Sequence, residues 1–405
     1  MKTIYYDTVN EHWYHQDTHQ TYTWGAHHTE LLFHPPSPSA IPFHVVEDNG
    51  RVGPLIGVLT SQTVLTNINN KIYELLETLQ RYVQLCGGLL FLFSEHDLYD
   101  RSVHGMVFHQ DSQRWIRTSL PYPDIVYNRF PSRKHEKHPY MKKCFQKLST
   151  QRIPFFNPSF FSKWDIYSFL KDHSFLHRYI PHTTLFRQTK DLEEMLSQHK
   201  TIYVKPSNGS KGKGIFTLAM TPTGHIQYEN QAETKQYDSL YVIEQQYLQN
   251  VSKQWILQEA IASDCIDEKR YDLRILVHRQ KEDFIISGIG IRKSHTQLVT
   301  THTLNGGIIA PFSVVEDRID VPLLKHIVNE CGHCLSSKLG LIGEFSIDMV
   351  KSITNQYYIL EVNAKPMIFD EPTIQMKGMY HLIYLFYELS GFSPIDSKPV
   401  HDLLK

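Results

Sequence analysis

Alternating apolar and polar residues mark two strands near the C-terminus of this chain, at residues 343–350 and 358–366. Each run has apolar residues at nearly every second position, which is the pattern of a half-buried strand. The turn-forming segment 352–356 lies between them, so the two strands are predicted to form a hairpin. Further apolar runs predict strands at 201–206, 255–261 and 271–277, and residues 288–293 add a cationic, glycine-rich element.

The first half of the chain predicts a different succession of elements. Short alternating stretches in residues 1–50 favour β structure. A strand at 55–60 and a helix from about 67 to 86 come next, and strands at 89–93 and 125–127 follow. This βαβ order predicts a small parallel sheet. The basic run 133–138 is expected to be a solvated loop, and helices are expected at 163–175 and 321–338.

Three oxygen-bearing side chains of the predicted hairpin are candidate metal ligands. Glu361 and Asn363 lie two apart on one strand and project from the same face, while Leu360 and Val362 are expected to point into the core. Asp348 on the partner strand can be aimed at that face. Mg²⁺ takes one or two carboxylates together with waters and substrate phosphates, so this set suits it. The solvated face of a half-buried sheet would show the same pattern.

A loop rich in glycine and lysine follows the strand at 201–206. Its glycines are Gly209, Gly212 and Gly214, and its lysines are Lys211 and Lys213. The glycines free the backbone to fold closely over an anion, and Lys205 at the end of the strand supplies positive charge. Lys213 is followed by glycine rather than by serine or threonine, so this is not a Walker P-loop. A plain hairpin turn is the alternative interpretation.

The order of these segments resembles the ATP-grasp superfamily, especially RimK-type carboxylate–amine ligases. The likeness is carried by Val204-Lys205-Pro206, the glycine loop, Gln258-Glu259-Ala260-Ile261, Asp272-Leu273-Arg274, Arg292, Asn305-Gly306-Gly307, Ile347-Asp348 and Glu361-Val362-Asn363. More narrowly, the chain resembles the YheC/YheD family, described as endospore coat-associated proteins of Bacillus-like spore formers. That family shares three further segments, at 53–60, 123–129 and 156–158. The resemblance covers roughly residues 50–390.

The resemblance implies an α/β (α+β) ATP-grasp fold and a division of the chain. Residues 1–50 would be a small N-terminal β extension, and residues 51–150 an α/β domain that precedes the ATP-grasp module. Residues 151–395 would form the module itself. ATP would be clamped between two subdomains, at about 160–260 and 261–395.

The resemblance also implies a role for each matching residue. Asp348 and Glu361 would bind one Mg²⁺, and Glu361 with Asn363 a second, with Mn²⁺ as the alternative ion. The catalytic residues, facing the γ-phosphate and the acceptor, would be Arg274, Arg292 and Asn305. The ATP-binding residues would be Lys163, Lys205, the loop residues Gly209, Ser210, Lys211, Gly212, Lys213 and Gly214, and the hinge residues Gln258, Glu259, Ala260 and Ile261.

The implied activity is that of an ATP-dependent carboxylate–amine ligase that forms an amide through an acyl phosphate. ATP and Mg²⁺ would be the cofactors, the substrate would be a small carboxylate and amine or a peptide, and spore-coat proteins are candidate partners. Two alternatives stay open: a phosphotransferase that stops at a phosphorylated product, and a non-catalytic coat protein that keeps the fold for assembly. One departure supports the second alternative, because Tyr167 stands where many members carry a phosphate-binding lysine. Lys163 or a loop lysine would then have to substitute.

Composition and charge limit these interpretations. The 405 residues are too many for one ordinary core, so two or three domains are expected. The 41 basic and 42 acidic residues balance, so charge does not indicate a nucleic-acid partner. No apolar run is long enough for a membrane span, and the N-terminus does not resemble a signal peptide, so a cytoplasmic protein is expected. The family resemblance adds an association with the spore.

The five cysteines also fit a reduced compartment, because they are few and scattered. Cys331 and Cys334 have the spacing of a zinc-binding pair, but no second pair accompanies them. They are therefore interpreted as two thiols on a helix.

Overall fold

A closed barrel forms the N-terminal part of the structure, a computed structural model that describes residues 1–67, 71–209, 212–249, 254–294 and 307–393. Its strands are β1 (Lys2–Asp7), β2 (His12–His15), β3 (Tyr22–Trp24), β4 (Thr29–Phe33), β5 (Ala40–Asp48) and β6 (Arg51–Gly53). They close in the order β1-β2-β4-β3-β6-β5. Aromatic rings fill the interior, where the ring centroid of Trp13 lies 5.1 Å from those of Tyr6 and Phe43. The β structure predicted for residues 1–50 is confirmed.

A mixed six-stranded sheet follows the barrel. Its strands are β7 (Leu55–Leu59), β8 (Leu89–Phe93), β9 (Val103–His109), β10 (Arg114–Leu120), β11 (Ile125–Asn128) and β12 (Phe155–Phe156), in the order β10-β9-β8-β7-β11-β12. The pairs β7–β8, β7–β11 and β11–β12 are parallel, whereas β8–β9 and β9–β10 are antiparallel. The parallel arrangement predicted for the strands at 55–60, 89–93 and 125–127 is therefore confirmed, whereas the antiparallel β9–β10 hairpin at the edge was not predicted. The β9–β10 hairpin has one partly solvated face, and its many polar residues hide the alternation.

Four helices accompany this sheet: α1 (Gln62–Thr66), α2 (Lys71–Leu85), α3 (Arg133–Glu136) and α4 (Pro139–Thr150). Helix α3 contradicts the solvated loop expected at 133–138. The side chain of Ser132 caps its first turn, and the carboxylate of Glu136 is buried against the ammonium of Lys365, 2.5 Å away. A sequence gives no direct sign of a partner 229 residues away.

The third sheet is antiparallel throughout. Its strands are β13 (Thr183–Leu185), β14 (Thr201–Pro206), β15 (Phe216–Met220), β16 (Ile226–Glu229), β17 (Thr234–Tyr237) and β18 (Trp255–Glu259), in the order β13-β18-β14-β15-β16-β17. Helices α5 (Lys163–Lys171), α6 (Thr189–Gln198) and α7 (Leu240–Ile243) belong to this part of the chain. The sheet packs with α6 and α7 around a core of its own, which includes Leu192, Ile202, Leu218, Ile243 and Leu257.

The fourth sheet carries the predicted hairpin. Its strands are β19 (Cys265–Ile266), β20 (Lys269–Gln280), β21 (Asp283–Lys293), β22 (Ile308–Ala310), β23 (Glu344–Lys351) and β24 (Tyr357–Asn363), in the order β22-β21-β20-β23-β24 with β19 paired to β20. Helix α8 (Val321–Leu339) packs on one face, where Cys331 and Cys334 are buried. The hairpin and this helix are therefore confirmed.

Helix α9 (Pro372–Ser390) joins the fourth sheet to the mixed sheet. On one side, Gly378 lies against Leu276 of β20, close enough that an added Cβ would be 2.7 Å from its side chain. On the other side, Leu382, Leu385 and Phe386 share a buried core with the mixed sheet and α2. None of the helices in the described ranges combines the length and apolar character needed to cross a membrane.

Candidate nucleotide and metal site

Lys205 lies at the end of β14 in the third sheet, near Glu361 of the fourth sheet. Its side chain is nearly buried, and its ammonium donates to Oε1 of Gln258 on the neighbouring strand, 2.5 Å away. Burial, followed by the nearby charge of Lys163, lowers the pKa of Lys205 to about 8, although Glu361 and Asp272 act in the opposite direction. Burial disfavours the charged form of this ammonium, and a bound anion would stabilise that form again.

Lys163 approaches the same place from the first turn of α5. Its Nζ lies 2.5 Å from Oε1 of Glu361 and 3.3 Å from the carbonyl of Gly209. Ser162 caps this helix, and its hydroxyl lies 3.0 Å from that of Ser207, so the helix start is fastened to the loop after β14. The two lysines therefore come from different elements and converge near one carboxylate.

Tyr167 does not enter this cluster. It lies one turn further along α5, buried with its ring centroid 5.4 Å from that of Trp164. In this structure Lys163 is the residue of the helix that reaches the site.

The glycine loop has the backbone geometry that only glycine adopts easily. Gly212 and Gly214 have φ of 69° and 75°, in the left-handed region. A Cβ at Gly209 would come within 3.2 Å of Pro206. Lys213 is exposed, whereas Ser210 and Lys211 lie outside the described residues. At Gly209 the loop contacts Lys163, and its glycines permit a close approach of backbone to a ligand.

Asp348, Glu361 and Asn363 come together on the hairpin. Asp348 and Glu361 are cross-strand partners, and Nδ2 of Asn363 lies 3.5 Å from Oδ2 of Asp348. Arg274 on β20 pairs with Asp348 across the sheet, with Nη1 3.8 Å from Oδ1. Burial alone would raise the pKa of Glu361, but the positive charges of Lys163, Lys205 and Arg274 hold it below its ordinary value. The carboxylate is therefore ionised at neutral pH.

The hairpin contains a β-bulge that the alternation did not predict. The register shifts between Asp348 and Met349, so that Asp348 pairs with Glu361 and Met349 with Ile359. Leu360 is the extra residue, and it is only partly buried, whereas Ile359 and Val362 point into the core. The expectation for Leu360 was therefore wrong, and the one for Val362 was right. Bulges of this kind re-aim side chains at functional positions.

The residues of this hairpin fit a magnesium ion. All three offer oxygen atoms, and two are carboxylates, which is what Mg²⁺ takes from a protein when substrate phosphates complete its shell. Lys163 now neutralises the carboxylate of Glu361, and a phosphate group would give that ammonium a second partner.

Arg292 is placed differently from Arg274. Its guanidinium is buried and forms a two-pronged ion pair with Glu371, with distances of 2.5 and 3.0 Å. Both arginines lie beside the ring of Phe369, at 5.4 Å for Arg274 and 5.9 Å for Arg292. Glu371 was missed by sequence reasoning, because it precedes α9 outside any recognised motif. Asn305 lies outside the described residues.

The hinge segment joins β18 to the fourth sheet. The N–H of Glu259 donates to the carbonyl of His182 at 2.9 Å, and the N–H of Ala260 to that of Thr201 at 3.1 Å. Gln258 is bound to Lys205, while Ile261 is partly exposed. Two of the hinge N–H groups are thus already used by neighbouring segments of the third sheet.

Comparison with known proteins gives a consistent result. A sequence model described as YheC/D-like ATP-grasp matches residues 152–386. The endospore coat-associated protein YheD of Bacillus subtilis (strain 168) is 25% identical over 374 residues, which cover 85% of this chain and 81% of that protein. The endospore coat-associated protein YheC of the same organism is 23% identical over 279 residues, covering 65% of this chain and 76% of that protein.

Solved structures show the same fold at low identity. The VanG D-Ala:D-Ser ligase from Enterococcus faecalis superposes with a TM-score of 0.50 at 13% identity, covering 84% of this chain and 99% of that one. D-cycloserine synthetase DcsG gives a TM-score of 0.50 at 13% identity, covering 82% and 99%. The ATP-grasp ligase PsnB, complexed with minimal precursor, gives 0.50 at 10% identity, covering 83% and 99%. The fold of this chain is therefore the ATP-grasp fold.

Proposed function

Because this chain belongs to the YheC/D-like ATP-grasp family, we propose that it is an ATP-dependent carboxylate–amine ligase. The observation that carries the proposal is the convergence of Lys163 and Lys205 on Glu361, beside Asp348 and Asn363. Two cations for a polyphosphate and three oxygen ligands for a metal lie together where the third and fourth sheets meet. The packing of the fold does not require this cluster, because burying charged side chains costs free energy and apolar side chains could fill the same space.

The reaction would proceed in two displacements. A carboxylate oxygen of the acceptor attacks the γ-phosphorus of ATP, the bond to the β-phosphate oxygen breaks, and ADP leaves. An amine then attacks the acyl carbon, the carbon–oxygen bond to phosphate breaks, and the amine loses a proton as the amide forms. Neither step needs a nucleophile from the protein, so the tasks of the chain are positioning, charge stabilisation and exclusion of water.

Each residue of the cluster has a task in this scheme. Lys205 holds the α- and β-phosphates, and Lys163 moves from Glu361 toward the phosphates when nucleotide enters. Arg274 lies where it can stabilise the charge that develops on the transferred phosphoryl group. Asp348, Glu361 and Asn363 would hold Mg²⁺, which would neutralise negative charge on the phosphates when bound.

The test separates binding from chemistry. Mg-ATP at a hundred times its dissociation constant stabilises a protein by about 2.7 kcal/mol, so the thermal midpoint should rise in the native chain and remain unchanged in a Glu361→Ala, Asn363→Ala double variant. A panel of amino acids and peptides is then screened for ADP release, with hydroxylamine present to trap an acyl phosphate as a hydroxamate. ADP release with hydroxamate supports the ligase.

Other results would point to the alternatives. A phosphorylated product that survives hydroxylamine would mean a phosphotransferase. ADP release without amide or hydroxamate across the whole panel would contradict the ligase, and the absence of any thermal shift would favour a non-catalytic assembly protein.

The relatives support a setting for the reaction, because YheD and YheC are both named as endospore coat-associated proteins. We propose the same association for this chain, with a peptide or amino acid of spore material as substrate. A fluorescent fusion produced in a sporulating host should gather at the forespore surface. A signal spread evenly through the mother cell at all stages would contradict the association.

A further inference from the structure

The segments 123–129 and 156–158, which the sequence associates with the family, contribute no side chain to the cluster of lysines and metal-ligand candidates described above. Their residues instead reach across to the hairpin of the fourth sheet. The central contact is Asn157, which is completely buried and has φ of 57°. Asparagine tolerates this left-handed conformation better than most residues, because its short side chain can hydrogen-bond locally.

The side-chain amide of Asn157 joins both strands of the hairpin. Its Nδ2 donates to the carbonyl of Ala364 at 2.8 Å, directly after β24. Its Oδ1 accepts the N–H of Gly343 at 3.0 Å and that of Glu344 at 3.4 Å, where β23 begins. One amide thus links the open end of the hairpin, while the turn 352–356 closes the other end.

The two residues after Ala364 are held by the 123–129 segment and its continuation. Nζ of Lys365 lies 2.5 Å from Oε1 of Glu136 and 3.1 Å from Oδ1 of Asn128, and both charged side chains are almost completely buried. The guanidinium of Arg129 donates to the carbonyl of Pro366. Three consecutive residues that follow the candidate ligand Asn363 are therefore bound by side chains from residues 128–157.

The position of this clamp matters because of the bulge in the hairpin. A slip of one residue in β24 would turn Glu361 and Asn363 to the opposite face of the sheet. The bulge at Leu360 already inserts one extra residue in β24, so removing the bulge would shift the pairing of β24 with β23 by one residue. Fixing Ala364 against Gly343 sets the register at the end where Asn363 lies.

We infer that Asn157, assisted by the Lys365–Glu136 pair, is a positioning residue that sets the metal affinity of Glu361 and Asn363. The inference rests on the metal site of the proposed function, and it assigns to the N-terminal half of the chain a direct part in building that site. Partners of this kind behind metal ligands typically change metal affinity by about 10- to 100-fold when they are altered.

The test uses Asn157→Asp in the full-length chain. This change keeps the size and the Oδ1 acceptor, but it replaces the donor to Ala364 by an oxygen that repels its carbonyl. Asn329→Asp is the control for the same substitution at a partly buried position, where Oδ1 of Asn329 on α8 accepts the N–H of Phe284 at 2.8 Å on the opposite face of the same sheet. Mn²⁺ binding is measured by electron paramagnetic resonance with ADP present, and ADP binding is measured separately in EDTA.

The expected result is selective. Mn²⁺ affinity falls about 10-fold or more in Asn157→Asp, while ADP affinity in EDTA stays within twofold, and Asn329→Asp resembles the native chain in both. A metal-free readout accompanies this: amide hydrogen exchange across residues 357–366 becomes faster in Asn157→Asp only. A second variant, Lys365→Met with Glu136→Gln, avoids an unpaired buried charge and should shift Mn²⁺ affinity in the same direction.

Three outcomes would overturn the inference. Unchanged Mn²⁺ affinity in Asn157→Asp would show that the clamp does not act on the ligands. An equal loss of ADP and Mn²⁺ affinity, with a lowered thermal midpoint, would show a general loss of structure instead of positioning. If the native chain itself binds ADP but no Mn²⁺, the metal site is wrong and the inference falls with it.

Discussion

Nucleotide affinity should fall steeply as the pH rises above 8, because Lys205 must be charged to hold the phosphates. Burial and the charge of Lys163 lower the pKa of Lys205 from its ordinary value of 10.5 to about 8. A bound polyphosphate favours the charged form and raises the pKa again. Below pH 8 the free protein already carries the proton, whereas above pH 8 binding must take one up.

The size of the effect follows from these values. With a pKa of about 8 in the free protein and one near the ordinary 10.5 in the complex, the dissociation constant for ADP rises about 30-fold between pH 7 and pH 9.5. That ratio corresponds to about 2 kcal/mol of binding free energy. Most of the rise falls above pH 8, where the neutral form of Lys205 predominates.

Calorimetric titration with ADP in EDTA measures this directly, because no metal contributes. The second phosphate pKa is about 6, so the ligand remains ionised over the range. Lys205→Arg is the control, since guanidinium keeps its charge at all of these pH values. Its affinity should be independent of pH, whatever its absolute value. A native chain with a flat profile, or an arginine variant with the same slope, would refute the role given to Lys205.

Two further predictions follow from single contacts. Lys163→Met should raise Mn²⁺ affinity in the absence of nucleotide by about tenfold, because a charge-assisted bond of about 1.5–3 kcal/mol no longer competes for Glu361. The same change should weaken ADP binding. Paramagnetic resonance measures the Mn²⁺ affinity and calorimetry the ADP affinity, and equal losses of both would contradict the competition. Gly332→Ala should destabilise the fold by about 1–3 kcal/mol, because the new Cβ would lie 2.2 Å from the ring of Phe284. Ser336→Ala in the same helix removes a buried hydroxyl without a described partner and should be nearly neutral. Thermal unfolding that ranks the two variants in the opposite order would refute the packing argument.

The strands and helices that carry the site could be predicted from the sequence, because each has a strong local pattern. The strand that ends at Lys205 and the hairpin of Asp348 and Glu361 are examples, since apolar alternation and turn residues mark them without help from the rest of the chain. The orientation of Leu360 could not be predicted, because a bulge is set by packing on both sides of the sheet and leaves no residue signature.

Contacts between distant segments were also beyond the sequence. Glu136 is the single acid in a basic run, and the run as a whole indicated a solvated loop. The structure buries this acid against Lys365 and leaves the lysines at 134 and 137 exposed. A single acidic residue within a basic run is a weak sign of a buried ion pair, but here Glu136 forms one.

The separate hydrophobic cores indicate which part of the molecule could move relative to the metal-ligand candidates. Helix α9 shares one core with the mixed sheet and also packs on the fourth sheet, so these parts form a single body. The third sheet, with Lys205 and the glycine loop, has a core that no other sheet enters. A rotation of this sheet about the segment after Glu259 would therefore break few apolar contacts, but it would have to separate Ser207 from Ser162 at the start of α5, which packs on the fourth sheet. Opening would carry Lys205 away from Glu361 and leave the metal ligands in place, so product could leave without dismantling the hairpin.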